Sequence, residues 1–108
     1  MSLVTDAASL LAAAALKTST VTIRGASLLV RELSLAGREA FMDGHKTSAA
    51  KAAIAVLLHG VINPETKAPL LTEEQAEALA ESSAEFVQEL AGAILKVSGL
   101  SDNDTGKE

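Results

Sequence analysis

The sequence predicts a mainly α fold, a bundle of about four to five helices with a small N-terminal β-hairpin near residues 20–33. Three observations predict it. Apolar residues recur at helical spacing through the second half of the chain, as in Phe86, Leu90, Ile94 and Val97. Ser or Thr followed three residues later by Gln or Glu marks helix starts at Thr72 and Ser82. One run alone, Thr20-Val21-Thr22-Ile23, is β-branched throughout and suits a pleated strand. The 108 residues favour one domain, 1–100, followed by a polar tail, 101–108, that reads as disordered. Hydrophobic residues make up 48% of the chain and aromatics 2%, so Ala, Leu, Ile and Val must build the core.

Residues 1–16 read as a helix, with Thr5 or Asp6 as cap and Leu10, Leu11 and an Ala run behind it. The segment resembles a signal peptide in outline only, because Asp6 and no Lys or Arg precedes the apolar run. That run is also well short of the roughly 20 residues a membrane span needs. Neither targeting nor insertion is expected; a loosely docked helix that meets a partner is the sharper reading.

In the hairpin, Val21 and Ile23 share one face, and Thr20, Thr22 and Arg24 the other. Gly25-Ala26-Ser27 supplies the connection, and Leu28-Leu29-Val30 opens the second strand. A lone hairpin is marginal in water, so its apolar face must pack on helices or on another subunit. Ser34 caps the next helix, with Leu35, Phe41 and Met42 inward, Arg38 and Glu39 outward, and Gly44 as its stop. Thr47 or Ser48 caps a helix over 49–59, whose Ala50, Ile54, Leu57 and Leu58 should face the core. Asn63-Pro64 and Ala68-Pro69 mark a loop. Thr72 and Gln75 form a capping box, and Glu73 and Glu74 suit the positive end of the helix dipole. Ser82 and Glu85 form a second box, so the rest reads either as two helices or as one long helix with a soft middle. Ser98-Gly99 ends it.

Charge is uneven. Residues 1–60 hold six Lys/Arg and four Asp/Glu, and residues 61–108 hold three and ten, which makes the net charge −5. The acidic residues read as solvated helix faces, or as one half of a head-to-tail contact between copies. Arg24, Arg31 and Arg38 recur every seven residues. With an acidic balance and no Tyr or Trp to stack bases, nucleic-acid binding is not expected. These arginines either reach water or meet Glu73, Glu74 or Glu77 on a neighbouring copy.

There is no Cys, hence no disulfide, thiolate metal site or Cys nucleophile. His45 and His59 stand alone, with no HExxH-type spacing, and neither a GxSxG nor a P-loop pattern occurs. No enzyme activity, cofactor or metal is expected.

The stretch with two strands, then Val30-Arg31-Glu32-Leu33, then a short helix with Arg38-Glu39 and Phe41, resembles the N-terminal part of the tail assembly chaperones of long-tailed bacteriophages (lambda-like, non-contractile). The downstream order is similar too: an Ala-rich helix, Gly60-Val61-Ile62-Asn63-Pro64, then Pro69-Leu70-Leu71-Thr72-Glu73-Glu74 opening a helix, and a last helix ending near Leu100. The resemblance implies a protein that coats the tape measure protein and promotes tail tube assembly. It implies action in the host bacterial cytoplasm and absence from the mature virion. It also implies a second, longer form made by programmed frameshift, through which the tail tube protein is met; Gly106-Lys107 is a dipeptide that a slippery codon pair would encode. Self-association as a head-to-tail spiral or ring would use Arg24, Val30, Arg31, Glu32, Leu33, Arg38 and Phe41, with Glu73, Glu74 and Glu77 opposite. The alternative is a small oligomeric bacterial adaptor or regulatory protein that binds one partner through apolar helix grooves.

Overall fold

In the computed structural model, which describes residues 3–100, the β-branched run lies within β1 (Thr18–Ile23), paired antiparallel with β2 (Ala26–Arg31). The turn is Arg24-Gly25, not the three-residue Gly25-Ala26-Ser27 connection expected from the sequence. Both turn residues have positive φ, +52° and +82°, the sign a two-residue hairpin of type I′ requires. Gly25 adopts this freely, whereas Arg24 accepts the crowding of its Cβ. The register Val21↔Leu28 aligns Val21, Ile23, Leu28 and Val30 on the inner face. On the outer face the Thr22 and Ser27 hydroxyls lie 3.2 Å apart, in hydrogen-bond contact.

A third strand was not legible in the sequence. β3 (Val61–Ile62) pairs antiparallel with β2 through Leu29↔Ile62 and Val30↔Val61, so the sheet order is β1-β2-β3. The loop after it doubles back, and the Leu70 N–H donates to the Val61 carbonyl at 3.0 Å. Five helices and a three-stranded antiparallel sheet thus share the described residues, an α+β arrangement that holds the expected helices and N-terminal hairpin and adds one short strand to the hairpin.

The helices are α1 (Ala7–Ala13), α2 (Leu35–Thr47), α3 (Ala49–Gly60), α4 (Glu73–Ala80) and α5 (Ala84–Val97). Asp6 caps α1 by accepting from the Ser9 N–H at 2.9 Å. Gly44 does not stop α2, which continues to Thr47. Its role is a close approach: a Cβ there would sit 2.8 Å from the Lys51–Ala52 backbone of α3, so α2 and α3 meet where no larger residue fits. Ser48 alone separates them. It is extended, ends α2, and accepts from the Lys51 N–H at 3.1 Å to start α3. α3 buries Ala52, Val56 and Leu57, while the expected Ala50 is exposed and Ile54 and Leu58 are half-buried.

The Thr72–Gln75 capping box is formed in both directions. α4 and α5 are two helices, and Ser83 rather than Ser82 caps the second. The Ser82 hydroxyl instead donates back to the Ala78 carbonyl. The apolar stripe of α5 faces the core, with Val87, Leu90 and Ile94 buried and Phe86 and Val97 half-buried. The core joins these to Ile23, Val30, Leu33, Val56, Leu57, Val61 and Ala76. No helix among the described residues is long and apolar enough to cross a membrane. The tail 101–108, with Gly106-Lys107, lies outside the described residues.

Candidate functional site

α2, α3 and α5 enclose an open groove of about 780 Å³. Its α2 wall is Arg38, Phe41, Met42 and His45; its floor is Ala49, Ala52, Ala53 and Val56 of α3; its α5 wall is Gln88, Ala91, Gly92 and Leu95, with Leu100 beside it. The cause is side-chain size. Ala and Gly at five of these positions leave space that Leu or Ile would fill.

Ser98, just past α5, ties α5 to the segment that starts α2. Its buried hydroxyl accepts from the Leu33 N–H at 2.8 Å and donates to the Ile94 carbonyl at 2.7 Å. The Arg38 guanidinium donates to the Ser98 carbonyl at 2.8 Å. A cation at the carbonyl end of α5 also favours the helix dipole. The start of α2 is therefore held to the end of α5, while their far ends are not. Phe41 and His45 stack edge-on inside the groove, ring centres 5.3 Å apart.

α2 presents a different face from the one expected. Leu35 and Met42 were expected inward, yet they are 75% and 63% exposed. The inward side is Gly37, the Arg38 stem and Phe41. The hydrogen bond from Arg38 to α5 fixes that rotation. A second, shallower hollow on the outer side of α2 is lined by Ala36, Glu39, Ala40, Met42, Asp43 and Lys46, so Met42 stands on the ridge between the two.

The residues expected to join copies are scattered. Val30 and Leu33 are core residues, 0% and 2% exposed. Glu32 extends the β1–β2 ladder, its carboxylate accepting from the Lys17 N–H at 2.7 Å. Arg24 donates to the Ser83 hydroxyl at 2.9 Å, lies 3.6 Å from Glu85 and stands over the Phe86 ring. Arg31 sits against the His59 carbonyl at 3.5 Å, and its Nε is buried without a partner. Each arginine thus has a neighbour within its own chain. Glu73, Glu74 and Glu77 are exposed on α4. Arg38 and Phe41 come together in the groove, Val30 and Leu33 in the core, and Leu33 and Arg38 both bond to Ser98. The Ala and Gly positions that shape it were missed, although an Ala-Gly-Ala run inside α5 was the available signal.

α1 is the second uncovered apolar feature. No residue in it is buried, and Leu10 and Leu11 are 59% and 72% exposed. Hydrogen bonds from the Ser9 side chain and backbone hold the Asp6 carboxyl below its ordinary value. Among the described residues no three His, Asp or Glu gather as a metal site.

No protein-family model, no curated protein and no solved structure matches this chain.

Proposed function

We propose that this chain is a tail assembly chaperone of a long-tailed, non-contractile phage, and that it coats the apolar tape measure protein in the host cytoplasm until the tail tube replaces it. The observation that carries the proposal lies on α2. Leu35 and Met42 are seven residues apart, two helical turns, so they share one side, and both are largely exposed. A row of copies would repeat this pair along a client helix. Each contact is small, and many sum by avidity. Weak single contacts are also what displacement by tube protein requires. The order of segments from the hairpin to Leu100 supports the same reading, and no residue is assigned a chemical step. The finished virion would not contain the protein, and the tube protein would be met by a longer frameshifted form.

The test is co-expression with a tape measure fragment. The fragment should move to the soluble fraction carrying several copies of this chain, and a Leu35→Asp, Met42→Asp double variant should lose that effect. A fragment that stays insoluble beside the wild type overturns the proposal. The bounded groove favours a second reading, an adaptor that holds one helix of one bacterial partner; a fixed one-to-one complex would select it.

A further inference from the structure

We infer that the open edge of β1 pairs with the β1 edge of a second copy, antiparallel and across a two-fold axis, so that two three-stranded sheets become one and the assembly closes at two copies. The pairing goes beyond the tail-assembly reading and needs no client, so its failure leaves that reading standing. The hairpin fixes which backbone groups are free. A two-residue turn makes Ile23 and Ala26 a hydrogen-bonded pair, and such pairs alternate along an antiparallel ladder. Val21 and Ser19 therefore bond to β2, and the Glu32 N–H, donating to the Lys17 carbonyl at 2.8 Å, keeps the same phase. Thr18, Thr20 and Thr22 point their N–H and C=O groups the other way, and all three residues are exposed. Among the described residues none of those outward backbone groups has a partner. The opposite edge of the sheet is closed: Ile62 bridges to Pro69, and the Asn63 N–H donates to the Ala68 carbonyl at 2.9 Å.

The edge also lacks what keeps such edges single. Thr18–Ile23 holds no Pro, no charged side chain and no bulge, and all but Ser19 are β-branched. A second copy is the occupant that the pattern itself matches. With Thr20 opposite Thr20, Thr18 of each copy meets Thr22 of the other, so all three outward residues find hydrogen-bonded partners. Cross-strand Thr pairs add side-chain contact. Because residue 20 meets itself, the apolar faces of the two sheets lie on one side. Ser19 of one copy then comes beside Val21 of the other, which its own chain covers only in part. Charge does not oppose the strands: the chain carries −5, but Thr18–Ile23 carries none. One pair of edge strands buries less than the roughly 1,200 Å² of a stable specific interface, so the dimer is weak and forms as concentration rises.

The experiment uses the full chain, with sedimentation and amide exchange across a concentration series. Wild type should double in mass, and the amides of Thr18, Thr20 and Thr22 should gain protection as it does; those of Ser19, Val21 and Ile23 are bonded already. Thr20→Pro removes one outward N–H and spares the ladder to β2, so it should stay monomeric. Thr20→Lys and Thr20→Glu each set like charges opposite one another across the axis and should also stay monomeric, whereas an equal mixture of the two should dimerise. A wild type that stays monomeric overturns the inference. So does Thr20→Pro associating like wild type, or a Lys and Glu mixture that pairs no better than either variant alone. Association that leaves the three Thr amides unprotected places the contact elsewhere and overturns it too.

Discussion

α1 and α5 both draw on Ala and Leu, yet one is entirely exposed and the other, which adds Phe86, Val87, Ile94 and Val97, anchors the core. Both are rich in Ala and Leu, and both begin at a side-chain cap, Asp6 or Ser83. The difference is arrangement. In α5 the large apolar residues recur every three or four positions, which gives one continuous stripe. In α1 Leu10 and Leu11 are adjacent, and Ala surrounds them, so no stripe forms. α1 is also seven residues long, below the length at which an isolated helix holds itself together. Composition decides whether a segment can be helical; periodicity decides whether its own domain can bury it.

The comparison breaks most visibly at Ile94. Its side chain is fully buried in the core cluster that also holds Val56, Leu57 and Leu90, and it fills the space beside Gly60. Ile94→Ala should cost about 2–5 kcal/mol in urea unfolding, by lost transfer energy plus the cavity left behind. Leu10→Ala, the matching change in α1, should shift stability by less than about 0.5 kcal/mol, as exposed positions do. Equal effects at the two sites would mean that α1 is packed in solution.

Ser98→Ala comes next. It leaves the Leu33 N–H without an acceptor in a buried position, at a cost of about 1–3 kcal/mol. The same variant should loosen the tie between α2 and α5, read as faster amide exchange at Leu33. Retained protection there would show that the hydroxyl is not the acceptor.

Gly92→Ala has the opposite sign. The site is helical, exposed and open, so the added methyl should stabilise the monomer by up to about 1 kcal/mol. Loss of stability in thermal unfolding would show that something already occupies that space.

The smallest effect belongs to Asp6. Its folded carboxyl is held below the ordinary value by Ser9, so its capping is present above that value and is lost as pH falls through the lower, folded one. Acidification, or Asp6→Ala at neutral pH, should fray α1 alone, seen in the Cα chemical shifts of Ala7–Ala13. Unchanged shifts would place the helix's support elsewhere.

Much of the scaffold was legible because its signals are local. The β-branched run, the Thr72–Gln75 box and the α5 stripe each depend on residues within one or two turns of one another. What escaped depends on distant partners. β3 is two residues that become a strand only because β2 presents free backbone beside them. Gly44 reads locally as a stop, and only the Lys51–Ala52 backbone reveals that a glycine is needed inside the helix. The rotation of α2 followed the same logic: Leu35 and Met42 are as apolar as Phe41, and the bond from Arg38 to Ser98 decides which side turns inward. The groove was hardest to foresee, because it is made by the absence of side-chain volume.

Ser48 has a mechanical consequence. Because one extended residue makes the whole junction between α2 and α3, two dihedral angles set the angle between two rods of 13 and 12 residues. The other end of α2 is held as well, because Arg38 donates to the Ser98 carbonyl. The helix is therefore a beam fixed at both ends, by Ser48 and by Ser98, and the width of the groove between Phe41 and Gly92 is set by where those two supports stand.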